Sequence, residues 1–406
     1  MGQANENVGR LSCARRKRGG DHGDSGEPRK TPRRSARARG HASRFSALHP
    51  GVPARFARAF QDSGGWPVFI FLVMSGFVLT PSFERQPHAL ISGLARRAVR
   101  LGLPAAVASA FAVLLTAAWP GQAPAAAALS GSSWLAGLQP VTPAQALADM
   151  SGLSLITGSA ETTLFEPVAR FLPHWSASVD PPSWSLHLEL WGSALVLMLV
   201  WLRARHAWLH SVALMLCAWF IGVNALNLFA LGSVLSLMAR SPWFPTLIAC
   251  HGRRALGVAL FAVGIWVEYG GWLPALRWLQ ETDAARALVH PFAWFSLSQE
   301  CAAALIFVAV LLLPELHGLL RSRLVQWLGK LSFAIYLLHF PIMRELGCAA
   351  FTMAVGWIGQ GAAACLALVV GLAGTFVVAV PFERVVDRSA IALSRRCGKR
   401  LVPAAA

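Results

Sequence analysis

An all-α polytopic membrane bundle is the fold this sequence predicts, and three observations carry it. The 406 residues are 55% hydrophobic, with a mean hydropathy of +0.51. Only 14% are charged, against about 25% in soluble domains. Long apolar runs such as 68–79 and 305–313 recur too often for one soluble core. Sixteen Trp against two Tyr fit anchoring at the headgroup level.

Nine apolar runs read as spans, near 66–83, 98–119, 185–202, 206–222, 224–239, 254–270, 299–314, 326–343 and 360–381. Several are short for a bilayer core of about 30 Å and are expected to tilt or pack irregularly. No internal repeat is visible. The predicted division is a basic disordered tail over 1–50, a membrane domain over 51–390 and a basic cytoplasmic tail over 391–406.

The connecting segments alternate in charge, which orients the bundle. Arg85, Arg96 and Arg97 lie in loop 84–97, Arg203 and Arg205 follow the third span, Arg240, Arg253 and Arg254 the fifth, and Arg321 and Arg323 precede the eighth. Loop 120–184 carries Arg170, no Lys, and acids including Asp180. Loop 84–97 and the C-terminus are therefore expected in the cytoplasm, and loops 120–184 and 271–298 outside. An inner (plasma) membrane location follows.

One feature breaks the pattern. Residues 1–47 hold twelve Lys/Arg against four Asp/Glu, yet parity places them outside. Such a tail resists translocation. A further span near 45–65 would restore parity, but Pro50, Pro53, Arg55, Arg58 and Asp62 exclude one there. The tail has no signal-peptide core. It reads as a solvated segment, and no specific nucleic-acid partner is expected. The seven Cys form no C-x-x-C pair, so neither a disulfide framework nor a metal site is inferred.

The chemistry concentrates in a few motifs. Trp184-Ser185-Leu186-His187-Leu188-Glu189 puts a carboxylate in the first turns of an apolar span. Intramembrane ionisable groups are costly and are functional-site hypotheses by default. Glu189 reads as a catalytic candidate or as a structural ion pair, one to two turns below the outer face. His187 reads as a packed histidine. Ser75-Gly76-Phe77 reads as a break in the first span, serving a pocket or close packing. Arg96, Arg97 and Arg100 read as inside-positive charge or as a phosphate-binding set, because guanidinium grips phosphate bidentately. Ser185 lacks an activating His and reads as a cap behind Pro181 and Pro182. Tyr336 and His339 share a helix face near its outer end.

Taken in order, these motifs resemble the membrane-bound acyltransferase 3 family. The matches are Phe71 to Phe77 with its Ser-Gly-Phe ending, the basic run Arg96 to Pro104, Trp184 to Glu189, and the Ser332, Tyr336, His339 helix with Phe333 where Tyr is usual. Pro381-Phe382-Glu383-Arg384 matches loosely. The resemblance covers about 64–390. It implies about ten membrane helices and transfer of an acyl group from acyl-CoA to an extracytoplasmic sugar or glycan hydroxyl. No bound cofactor is implied; acyl-CoA, the acceptor and membrane lipid are the partners. It assigns Glu189 to catalysis, Arg96, Arg97 and Arg100 to the donor, and Ser75, Gly76, Trp184, Ser185, Tyr336 and His339 to the pocket. The rival is a transporter or flippase-like protein, which should show repeats. Family members carry a basic residue and, some ten residues on, a His in the first helix. No apolar helix here holds that pair; His41 and His49 lie in polar sequence. Parity and motif thus both point to a missing first helix, through a misread start or a degenerate member, and to weak or absent activity.

Overall fold

The computed structural model describes residues 66–85, 90–160, 163–220, 225–269 and 297–401. They lie in one compact unit spanning 59–406. Among them every regular element is helical. The basic tail, His41, His49 and residues 271–296, most of the second loop expected outside, fall outside the described residues.

The bundle helices are α1 (Trp66–Glu84), α2 (Leu90–Ala118), α3 (Trp184–Arg205), α4 (Ala207–Phe220), α5 (Ala225–Ala239) and α6 (Arg253–Tyr269). They continue with α7 (Leu297–Leu312), α8 (Pro314–Leu320), α9 (Arg323–Ile342), α10 (Cys348–Phe382) and α11 (Arg388–Arg400). Each of the nine predicted runs falls on a helix among the described residues, but the count of nine spans does not carry over. Four helical stretches among those residues are long and apolar enough to cross a membrane, or five if the α7–α8 pair, bent by 93°, is one broken span. α4 and α5 are short apolar helices. The fourth stretch, 323–400, contains two predicted runs; π-helical turns at Met343–Gly347 and Glu383–Asp387 link α9 to α10 and α10 to α11.

That stretch is a hairpin. Gly359 sits at φ 77°, a left-handed conformation that costs a residue without Cβ little, and the chain reverses there. The two arms then meet in antiparallel register: Met343 lies against Gly371 and Ile342 against Gly374. The predicted C-terminal tail also changes character. Residues 388–400 form α11, packed along α2, so the sequence boundary at 391 falls inside a helix.

Two apolar clusters hold the bundle. One joins α1, α3, α5 and α7 through Phe69, Leu72, Val73, Val196, Phe229 and Phe307. The other joins α2, α3, α9 and α10 through Leu101, Ala105, Leu190, Leu337, Leu338 and Ala379. α3 belongs to both and is the shared wall. Glu84 accepts Arg203 at 2.6 Å and Arg240 at 2.5 Å, tying one end of α1 to α3 and α5.

Ser75 and Gly76 do not break α1, which runs unbroken from Trp66 to Glu84. Gly76 instead permits close helix contact. A Cβ there would overlap the Phe229 carbonyl oxygen of α5. A Cβ at Gly232 of α5 would overlap the Val73 carbonyl oxygen of α1. Small residues facing each other bring the two backbones together, the usual device of membrane helix pairs.

Opposite effects of one substitution follow. Gly329, inside α9, has nothing within 4 Å of where a Cβ would stand, so Gly329→Ala should stabilise by about 0.5–1 kcal/mol through helix propensity. Gly232→Ala drives a methyl into backbone and should destabilise by about 1–3 kcal/mol. Thermal unfolding of the purified variants reads both signs.

Candidate active site

Glu189 sits on α3 with 1% of its surface exposed. Its Oε1 receives the Arg97 guanidinium of α2. Arg97 also donates from Nε to Ser193 Oγ at 2.9 Å, and Ser193 donates to the Glu189 carbonyl at 2.6 Å. Ser193 stands four residues after Glu189 on the same helix face, so one guanidinium bridges both. Ser75 of α1 interacts with the same carboxylate. By hydrogen-bond geometry, Oε2 is buried without a partner among the described residues.

This arrangement moves two sequence expectations. Helix α2 begins at Leu90, so Arg96 and Arg97 are helical rather than in a loop. Arg97 lies about 10 Å into α2 at 1.5 Å per residue, and Glu189 lies level with Ser75, halfway along α1. The carboxylate expected near the outer face and the arginine expected at the inner edge therefore meet inside the bundle. The sequence measures depth from the start of α3, but residues 153–164, part of the segment that charge parity reads as outer, cover that start.

The covering is specific. Leu155, from the short helix Leu153–Thr157, packs with Leu101, Leu186 and Leu190. The His187 ring is fully buried; its Nδ1 meets the Leu155 carbonyl at 3.2 Å and its Nε2 accepts the Leu164 N–H at 3.2 Å. Those partners fix the neutral tautomer with the proton on Nδ1. Both ring nitrogens are spent on holding the outer segment, so His187 is a packed histidine, as expected.

Asp149 organises the rest of that segment. Its Oδ1 accepts Gln145 Nε2 at 2.8 Å and the Ser154 hydroxyl, and its Oδ2 accepts the Ser178 hydroxyl and the Val179 N–H, each at 3.0 Å. Sequence reasoning missed this residue, whose only signal is an acid among small polar neighbours. Asp149, His174, Trp175, Ser183 and Trp184 line a cavity of about 30 Å³, room for roughly a water molecule and not for a sugar ring.

Ser185 does not cap α3. The N-cap is Ser183, and it makes no side-chain cap. Tyr336 of α9 gives its proton to the Pro182 carbonyl, so the Ser185 hydroxyl donates to the Tyr336 oxygen, at 2.8 Å. His339, one turn on, places Nδ1 2.7 Å from the Tyr336 carbonyl. Tyr336 and Ser185 thus pin α9 to the start of α3, with His339 and Trp184 beside that node.

The three arginines separate. Arg97 is held by Glu189. The Arg96 side chain lies over Gly398 of α11, with its Cδ 2.5 Å from where a Cβ would stand. Arg100 is exposed, with the buried Asp387 carboxylate within electrostatic reach.

A family model described as an acyltransferase domain matches residues 40–384. The chain belongs to the acyltransferase 3 family. The match starts at residue 40, ahead of the expected start near 64, and includes His41 and His49. Among curated proteins, the O-acetyltransferase PaAT-1 of Phomopsis amygdali is 24% identical over 347 residues, 73% of this chain. The alignment spans 65% of that relative. No solved structure matches. The all-helical architecture and its apolar spans agree with a membrane-embedded family.

Asp180, outside the spans, supplies a pH test. It is 2% exposed and its Oδ1 lacks a partner among the described residues. Burial, then the nearby Asp149 carboxylate, holds its carboxyl well above the usual range. The folded state therefore keeps a proton that the unfolded chain releases near pH 3.9, about the free Asp value. Stability from this group is full below that pH and is lost as pH rises through the raised folded value. Asp180→Asn should raise the Tm at neutral and alkaline pH and flatten its pH slope. An unchanged slope would mean that Asp180 does not couple folding to pH.

Proposed function

We propose that this chain is a membrane O-acyltransferase that moves an acyl group from a coenzyme A thioester to a hydroxyl of an extracytoplasmic sugar or glycan. Family membership supports the reaction class, and the relative named an O-acetyltransferase supports an oxygen acceptor. The observation that carries the site is the buried Glu189 carboxylate, with Oε1 on Arg97 and Oε2 outside hydrogen-bond geometry to any group among the described residues.

In the reaction the acceptor oxygen loses its proton to a base and attacks the thioester carbonyl. The tetrahedral intermediate then expels the thiolate, which takes up a proton. The described residues offer Glu189 Oε2 as a fixed acceptor for a donor group, such as the N–H of a catalytic histidine. Arg97 and Ser193 hold the carboxylate in place, so it enters the reaction oriented. A positioned acid–base group contributes about 10²–10⁴-fold.

The donor reaches the site from the side of Arg100. Of the three arginines it alone is exposed and not committed to Glu189 or α11, so its guanidinium is the one left for phosphate oxygens. The acceptor approaches from the side of the outer segment, near Trp184, Ser185, Tyr336 and His339.

Acyl transfer from radiolabelled acetyl-CoA to glycan, measured with the folded protein in lipid nanodiscs, tests this function. Glu189→Gln should lower kcat by about 10²–10⁴-fold while substrate still binds. Arg100→Ala should raise KM for the donor more than for the acceptor. A wild-type chain that transfers normally but ignores Glu189→Gln would make the carboxylate purely structural. Alanine at His41 and at His49 in the same assay identifies the base that Glu189 orients.

A further inference from the structure

The C-terminal helix carries a second feature that acyl transfer does not use. α11 buries a stripe of small residues, Ala390, Ser394 and Gly398, spaced four apart. That stripe lets it lie close along the start of α2. The Ser92 hydroxyl donates to the Gly398 carbonyl at 2.9 Å, and the Arg96 side chain fills the space above Gly398. The helix is thus docked on one face.

Its other face is strongly basic. Arg395, Arg396, Lys399 and Arg400 are all exposed, and none joins an ion pair among the described residues. Leu393 and Leu401 stand among them, 42% and 47% exposed. Arg384 is exposed on the π-helical turn leading into the helix, and Arg388, which opens the helix, is exposed but paired with Glu383 at 3.0 Å; both follow an apolar arm that carries no charge from Gln360 to Phe382. Four unpaired cations would repel one another unless an anion lies against them. Apolar side chains interleaved with basic ones suit a headgroup layer better than open solvent.

We propose that the exposed face of α11 is a docking surface for anionic phospholipid headgroups of the leaflet on the basic side of the bundle. The charge is complementary, the surface continues a membrane-spanning arm, and the exposed leucines meet acyl chains where the cations meet phosphate. Clusters of four to eight juxtamembrane Lys/Arg bind such lipids through additive attraction. Because α11 is fastened to the α2 segment that carries Arg97, lipid on this face also steadies that segment.

The test uses the full chain in nanodiscs of phosphatidylcholine alone or doped with phosphatidylglycerol. The anionic lipid should raise the Tm of the wild type, and added salt should suppress the rise by screening. The variant R395Q/R396Q/K399Q/R400Q should match the wild-type Tm in phosphatidylcholine and lose most of the rise. It should need about tenfold more phosphatidylglycerol for half the effect, if it responds at all. A full rise in the variant, or none in the wild type, overturns the proposal. Coenzyme A added to phosphatidylcholine discs separates the other source of phosphate. A rise with coenzyme A that the variant loses, with no response to phosphatidylglycerol, would make this a donor surface and overturn the lipid assignment. Should the fourfold variant not fold, the salt-sensitive response of the wild type is compared with that of Lys399→Gln, and equal responses count against α11.

Discussion

The Arg97–Glu189 ion pair is the interaction on which the rest of the structure depends. Both side chains lie inside an apolar bundle, 15% and 2% exposed. A lone charge there is costly, so each makes the other tolerable. Their meeting joins α2 to α3 at a fixed height. It also joins the two apolar clusters, because α3 is the wall they share. Everything placed by α3 then follows: Ser185 against Tyr336, and His187 under the outer segment.

Packing and chemistry divide the polar residues between them. His187, Asp149 and the Ser185–Tyr336 pair spend their hydrogen bonds on structure. They hold the outer segment down on the bundle. Glu189 differs because its Oε2 has no partner in hydrogen-bond geometry among the described residues. A buried acceptor without a donor costs free energy, which a fold tolerates where a substrate or a base completes it. Glu300 and Glu345 also keep a buried oxygen without a partner among the described residues, so Glu189 is set apart by its pairing with Arg97 and by the motif that carries it.

Much of this is legible in the sequence. Hydropathy locates the long bundle helices, and the motifs at 75–77, 96–104, 184–189 and 332–339 name the residues that converge. Contact and depth are not legible. Nothing in the run Trp184 to Glu189 says that residues 153–164 fold over it, so the burial of Glu189 beneath that segment is not legible. The positive-inside pattern puts Arg97 in a loop, although the helix has already begun at Leu90. Ser193 has a signal, its spacing of four from Glu189. Gly359 has a weaker one, a glycine midway through a long apolar stretch, where the reversal turns one continuous helical run into a hairpin. The span count suffers for the same reason: hydropathy finds apolar segments, whereas length and bends decide which of them cross.

The most direct measurement is a double-mutant cycle on unfolding in detergent or nanodiscs, with Arg97→Met, Glu189→Leu and the pair together. Each single change leaves a buried charge alone and should cost about 3–5 kcal/mol. The double variant should be no less stable than either single one, because the second change removes the orphan that the first created. That is a strong favourable coupling between the two positions. Single variants with small effects that simply add would mean that the two charges do not depend on each other, and that their contact does not organise the bundle.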